Sequence, residues 1–493
     1  MGQNASSETI KEKEDNMEES FMVLNNHIVN GRYELKKLIG KGAFGRVWAA
    51  TDRQTNKKCA LKQQYCTNKQ QMDMIVNEIQ IFSKLQHPNI IEYYESFRCQ
   101  EKEMQGEEKK LSLFIVMEYV EGENLDDVLQ KLMKANTPLD LATMLHCFIT
   151  LLEGLQYIHA KGIIHRDIKP ANILVTYDKD GEIILKLADF GVSKQLNHGQ
   201  ELTATFCGTP LFMAPDVLSL YTNTVDVWSL GLVFWQIAGN LDSAALLAVK
   251  RKYGQLHNIS KAPSFKNSVK FQCISAILPL MVCTAKDRYT AERLLDHPLI
   301  QGVQWLLYPQ KAIKPKIVPL KVLLDGLLMK EPAVQQKCIL ELWQYFLACP
   351  SDKVISVISK IYSTHSHLSL IHALRCIKNK HFTNSSQQLN NADGGKKVSK
   401  FNSEKNVILY KATLQRAVKI LVKILEMNKK DCMSSYTAVN SMKFAGLGYV
   451  LQDLMDNIKD LKLLYTFFYY LAKSDRSFCK LIAFLLETKS LTS

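Results

Sequence analysis

The segment His165-Arg166-Asp167-Ile168-Lys169-Pro170-Ala171-Asn172, with Asp189-Phe190-Gly191 seventeen residues after Asn172, constrains this chain more than any other feature. It sets a carboxylate, an ammonium and a carboxamide at fixed spacing. A further carboxylate follows after an interval long enough for a hairpin. Such a set can accept a hydroxyl proton, neutralise a phosphoryl group in transfer and hold a divalent metal. Asp167 is the expected proton acceptor, Lys169 the expected cation beside the reacting phosphate, and Asn172 and Asp189 the expected Mg2+ ligands.

Upstream, Ile39-Gly40-Lys41-Gly42-Ala43-Phe44-Gly45-Arg46-Val47 fits G-x-G-x-x-G-x-V between two strand-like segments, Tyr33–Ile39 and Arg46–Ala50. Glycines there let backbone N–H groups approach phosphates without a side-chain clash. By itself the run reads equally well as an ordinary turn. Ala60-Leu61-Lys62 closes a third strand, where Lys62 could bind phosphates if a carboxylate held it. Glu78 is placed to do so, on a helix predicted over 69–86 with Met74, Ile75, Ile79, Phe82 and Leu85 on one face. Either charge alone reads as a surface residue. The motifs gain specificity from occurring together in this order.

Taken together, these residues resemble the eukaryotic protein kinases from about residue 33 to 301. The resemblance implies an α+β bilobal protein-kinase fold, ATP and Mg2+ as cofactors, and transfer of the γ-phosphoryl group to protein hydroxyls. It implies ATP contacts along Ile39–Val47 and at Ala60, Lys62, Glu78 and Leu174. Met117-Glu118-Tyr119-Val120 looks like the gatekeeper and hinge, with the backbone of Glu118 and Val120 meeting adenine. Gly208-Thr209-Pro210 and Asp226-Val227-Trp228-Ser229-Leu230-Gly231 follow in the family's order. Lys169 together with Thr209 is the serine/threonine pattern. The activation segment Leu202–Thr209 is similar to the NIMA-related group, which makes Thr205 the candidate for activating phosphorylation and Thr203 the alternate. The whole layout also resembles the serine/threonine kinase-like domain-containing proteins with armadillo-type tails, some of which have lost catalytic residues. The alternative is therefore a nucleotide-binding pseudokinase scaffold acting through its tail. The intact Lys62, Glu78, Asp167, Asn172 and Asp189 count against it. Two departures stand out. The family's A-P-E is Ala214-Pro215-Asp216, one methylene short of the usual partner for Arg288, and Asn240–Lys250 lacks the usual Pro-Phe landmark.

The remainder is organised differently. Residues 1–30 are polar with mixed charge and read as a flexible arm. A polar linker at 302–316 leads to leucine-rich helical segments over 317–493, at 334–347, 413–427, 438–455 and 461–486, expected to form an all-α, armadillo/HEAT-like domain. A polar stretch at 383–405 interrupts them and reads as a disordered insert. The net charge of +14 is not evenly spread: residues 301–493 hold 28 Lys and Arg against 13 Asp and Glu. That surplus suits a solvated helical surface, a protein partner of the tail or an anionic membrane, with nucleic acid less expected. Met1-Gly2-Gln3-Asn4-Ala5-Ser6 fits the N-myristoylation pattern at Gly2, a marginal anchor unless a basic patch adds a second. Twelve cysteines, none in a C-x-x-C pair, suit reduced thiols in a cytoplasmic protein. No secretory signal and no apolar run of membrane-spanning length is expected.

Overall fold

The computed structural model describes residues 28–42, 45–66, 68–101, 110–195, 209–216, 222–239, 241, 244, 246–248, 271–348, 369–371, 373, 412–422, 463, 466 and 467. Gly2, Ala43, Phe44, Thr203, Thr205, the 383–405 stretch and the 438–455 segment lie outside them, as do 1–27 of the N-terminal arm. The chain divides into two units. One comprises Met1–Leu139, Cys147–Val269 and Leu278–Leu295, and the other Asp140–His146, Lys270–Ile277 and Asp296–Ser493.

The first unit opens with an antiparallel sheet formed by β1 (Ile28–Val29), β2 (Tyr33–Gly42), β3 (Gly45–Asp52), β4 (Lys57–Cys66), β5 (Tyr93–Glu101) and β6 (Lys110–Glu118), in the order β1-β2-β3-β4-β6-β5. Its core packs Trp48, Leu61, Phe114 and Val116. Within the charged stretch 98–110, Arg98–Glu101 and Lys110 carry the ends of the two strands, and 102–109 lie outside the described residues. The ladder continues through Arg98↔Leu113 and Gln100↔Leu111 to Glu101↔Lys110, because cross-strand pairing satisfies the backbone and sets Glu101 opposite Lys110.

Helix α1 (Lys69–Phe82) begins at Asn68, whose side chain accepts from the Gln71 amide at 2.9 Å. It ends four residues short of the predicted 86. Its inward face also differs from the apolar count: Ile75, Glu78, Ile81 and Phe82 are buried, while Met74 is exposed. The stripe is rotated because a buried cation on β4 draws the polar Glu78 inward.

The helical part of this unit holds α2 (Leu125–Lys134), most of α3 (Leu141–Ala160) and α4 (Thr224–Gly239). Three further pairings position the site: β7 (Glu123–Asn124) and β10 (Ile183–Leu187) flank β9 (Ile173–Tyr177), and β8 (Ile163–Ile164) pairs with β11 (Lys194–Gln195). Against the expectation of no run of membrane-spanning length, α3 is long and apolar enough to cross a membrane, alone among the described residues. Its Leu151, Leu152, Leu155 and Ile158 are wholly buried, the pattern of a core helix.

The second unit includes α7 (Pro298–Leu307), α8 (Leu320–Gly326) and α9 (Pro332–Ala348), which follow α5 (Gln272–Met281) and α6 (Ala291–Leu295) in the chain. Helix α7 runs past 302, so the helix-free connection is 308–319 rather than 302–316. Close approach here depends on a small residue: a Cβ at Gly326 would lie 2.3 Å from the Cys338 sulfur. Asp325 is buried and accepts from the backbone amides of Gln272 and Cys273 at 3.1 and 2.7 Å. Burial nonetheless raises its pKa to about 6.

Candidate active site

Asp226, in the first turn of α4, organises the loop that carries the catalytic candidates. Its carboxylate accepts from the backbone amides of His165 and Arg166, both at 2.8 Å, and lies 2.9 Å from His159 Nε2. Burial would raise its pKa, but the hydrogen bond and charge of His159, with the amides, bring it below the ordinary value. Two residues of the site adopt left-handed backbone, Arg166 at φ +72 and Asp189 at φ +63. Each such conformation costs on the order of 1–3 kcal/mol for a non-glycine residue, so the surroundings must over-determine it. At Arg166 they do so through Asp226 and through the guanidinium Nε, which donates to the Val192 carbonyl.

Asp167 sits at the centre of a polar set. Its Oδ1 accepts from the Thr209 amide and hydroxyl, both at 2.9 Å. Its Oδ2 accepts from Lys169 at 2.7 Å and from Asn172 Nδ2 at 2.9 Å. Lys169 also reaches the Thr209 hydroxyl at 2.8 Å. The sequence-predicted base, cation and carboxamide are thus brought together, and Thr209 joins them.

On the other side of the cavity, Lys62 on β4 is 2.7 Å from Glu78 Oε1 of α1 and 2.8 Å from Asp189 Oδ1. Burial disfavours its charge, but the two carboxylates outweigh that and raise its pKa. For Asp189 burial acts upward, and the Lys62 charge brings the pKa below its usual value. An aromatic column backs this cluster: His165 lies 4.9 Å from Phe190, Phe190 stacks on Phe82 at 5.4 Å, and Phe82 meets Tyr93 edge-on at 5.5 Å. It ties the segment bearing Asp189 to the helix bearing Glu78.

Between them lies a cavity of about 540 Å3, within the range of sites for small molecules and cofactors. Ile39, Gly40, Lys41, Gly45, Val47, Ala60, Glu118, Val120 and Leu174 line it, with Lys62, Glu78, Asn172 and Asp189 at its polar end. Ile39 is 45% exposed, as suits a residue at the mouth. Arg46 is not among the lining residues. Strand alternation turns it away from Val47, and its guanidinium lies over the Tyr65 ring at 5.8 Å. Gly42 ends β2 opposite Gly45. The glycine requirement is sharpest at Gly45, where φ is +128 and a Cβ would come 2.0 Å from the Gln63 carbonyl.

These residues fit a magnesium nucleotide. The cavity is apolar along its walls, a glycine turn allows close backbone approach, and an oxygen donor pair for a hard cation, Asn172 and Asp189, stands at the charged end. Among the described residues no His, Cys, Asp and Glu group forms a ready-made metal cage.

The departure at Ala214-Pro215-Asp216 is accommodated. Arg288 reaches Asp216 with both terminal nitrogens, at 2.6 and 3.2 Å, so the shorter carboxylate still makes a two-point pair.

Residues 33–300 match the protein kinase domain family, just over half of the chain. The chain belongs to that family. It is 31% identical over 278 residues to the serine/threonine-protein kinase pakH of Dictyostelium discoideum, covering 55% of this chain and 50% of that protein. To the serine/threonine-protein kinase Nek5 of Mus musculus it is 30% identical over 287 residues, covering 56% and 42%. To the serine/threonine-protein kinase pakA of Talaromyces marneffei it is 40% identical over 203 residues, covering 41% and 28%. The chain spans half or less of the length of these curated relatives.

In the sequence, Thr209 and Asp226 stand out only as parts of the Gly-Thr-Pro and Asp-Val-Trp-Ser-Leu-Gly motifs. Their contacts with Asp167 and with the loop amides came from folding, since each lies more than 40 residues from its partner. A methyl group at Gly191 tests how tightly the charged cluster is set. It would lie 3.2–3.3 Å from Asp189 Oδ1, Lys62 Nζ and Glu78 Oε2. Gly191→Ala is expected to lower turnover on the order of tenfold or more through misplacement of these groups. Initial-rate kinetics with the purified variant would check this, and an unchanged rate would show that the cluster yields without loss.

Proposed function

We propose that the chain is an active serine/threonine protein kinase. The observation that carries this reading is the convergence of Lys62, Glu78 and Asp189 on one side of the cavity with Asp167, Lys169 and Asn172 on the other. When bound, MgATP supplies the γ-phosphoryl group and a divalent charge that offsets its own. The chain's residues bind, orient and move a proton. Asp167 accepts the proton of the incoming hydroxyl at its carboxylate. Lys169 keeps positive charge beside that carboxylate, and Thr209 orients it. Lys62, held by Glu78, would engage the nucleotide's phosphates, and Asn172 and Asp189 would hold the metal. The names of the relatives support serine and threonine as the acceptors. The assay that tests the reading is phosphate transfer from radiolabelled ATP in the presence of Mg2+, with wild type compared against Asp189→Asn. Transfer by wild type and its loss in the variant are expected. Nucleotide binding without transfer by wild type would favour a scaffold.

Thr205 is the proposed activating phosphorylation site, with Thr203 as alternate. A phosphate there would carry close to two negative charges and could pair with Arg166, next to the base. Thr205→Ala is expected to lower activity severalfold, with phosphate found at Thr205 in active wild type by mass spectrometry. Full activity with neither threonine phosphorylated would remove the idea. Substrates are expected not to select arginine two residues before the target. The two positions aligned with the acidic residues of kinases with that preference are Ala171 and Gln236, and Gln236 is only 2% exposed. An arginine there would lose hydration without a charged partner. A positional peptide library with strong arginine selection at that place would contradict this.

For the second unit, we propose an armadillo- or HEAT-like stack that binds a protein partner. The support is its short apolar helices in series and the positive surplus of 301–493.

A further inference from the structure

We infer that Gln64 is a positioning residue for Glu78, so that two side chains of β4, not one, hold helix α1 in its inward place. The inference rests on the kinase reading above.

The pleat of β4 separates Lys62-Gln63-Gln64 onto two faces. Gln63 turns to one side, where its Oε1 accepts from Trp48 Nε1 at 3.0 Å. Lys62 and Gln64, two residues apart, turn to the other side, toward α1. There the two oxygens of Glu78 are divided between them: Oε1 meets Lys62 Nζ at 2.7 Å and Oε2 accepts from Gln64 Nε2 at 3.0 Å. All three residues are buried, with Gln64 and Glu78 each 4% exposed.

This arrangement answers a competition within the cluster. Lys62 is shared with Asp189 at 2.8 Å, and in the proposed function it also turns to phosphate. A carboxylate held by Lys62 alone would lose its tie whenever the ammonium moved. With a neutral amide on its second oxygen, Glu78 stays oriented toward the cavity while Lys62 exchanges partners. Gln64 is also costly for the core. Its Oε1 is buried with no hydrogen-bond partner among the described residues. A buried acceptor left unsatisfied is unfavourable, and a methionine or leucine of similar volume would avoid that. The amide is accounted for by its bond to a charged acceptor, the stronger kind of hydrogen bond. The signal in the sequence is a polar residue two positions after the strand lysine, on the lysine's face.

The test uses the full chain and Gln64→Met, which keeps volume and removes the donor. The first readout is amide hydrogen exchange over residues 69–82 without nucleotide. Loss of a hydrogen bond to a charged group should speed it about ten- to hundredfold, while exchange over 147–160 stays as in wild type. The second is steady-state kinetics, where a fall in kcat on the order of tenfold is expected. The third is the pair with Glu78→Gln: once the acceptor is neutral, adding Gln64→Met should cost little more, so the two changes should be clearly non-additive. Unchanged exchange over 69–82, equal acceleration over 147–160, or simple additivity would each overturn the inference. So would failure of both Gln64→Met and Gln64→Leu to fold, which would mark Gln64 as a general core residue. If wild type transfers no phosphate, the kinase reading falls, and the exchange data still decide the role of Gln64.

Discussion

Lys62→Met is expected to lower the rate of phosphoryl transfer by about two to three orders of magnitude, as removal of one preorganised charge-stabilising group does elsewhere. Methionine keeps the aliphatic stem along β4 and removes the ammonium that lies between Glu78 and Asp189. The overall fold is expected to remain, because Gln64 still donates to Glu78 and the aromatic column through Phe190 is untouched. Transfer from radiolabelled ATP, together with a circular dichroism melt, checks both halves. Near-normal turnover in this variant would remove the assignment of Lys62 as the group that engages the phosphates.

Asp216→Ala is expected to destabilise the first unit by about 3–5 kcal/mol, the usual cost of removing one partner from a buried ion pair. The guanidinium of Arg288 is wholly buried, lies over the Trp228 ring at 5.0 Å and also donates to the carbonyls of Thr224 and Cys283. Without Asp216 those carbonyls remain, but the charge has no counter-ion. For a unit of this size the melting temperature should fall by roughly 6–20 °C. Asp216→Glu, which restores the missing methylene, should melt close to wild type. Scanning calorimetry of the two variants would settle the matter, and an unshifted melt for Asp216→Ala would show that the pair is dispensable.

The legible part of this protein was local. The glycine run could be read as a motif because its spacing lies within nine residues, but the constraint on Gly45, whose Cβ would meet the Gln63 carbonyl, comes from the neighbouring strand β4. Lys62 could be placed on a strand, Glu78 on a helix, and Asp167 and Asn172 at their spacing, because each motif is a short stretch whose order carries the information. The resemblance then added expectations that the residues alone left open, from the hinge to the phosphate donor. Where reading failed, it failed on non-local terms. Hydropathy places Met74 on the buried face of α1, yet the helix turns Glu78 inward. Strands β5 and β6 run into a charged stretch because antiparallel pairing satisfies their backbone groups.

By itself, then, the sequence determined the residue types of the site and their order, since backbone permissiveness and strand and helix periods act within a few residues. Only the tertiary structure decided their partners. Lys62 meets Asp189 across 127 positions, and Arg288 meets Asp216 across 72. Thr209 closes on Asp167 across 42, and Gln64 takes the second oxygen of Glu78 across 14. Such pairings depend on desolvation and on the packing of strands against helices. The strength of a charge pair is set by the dielectric that the rest of the fold creates around it.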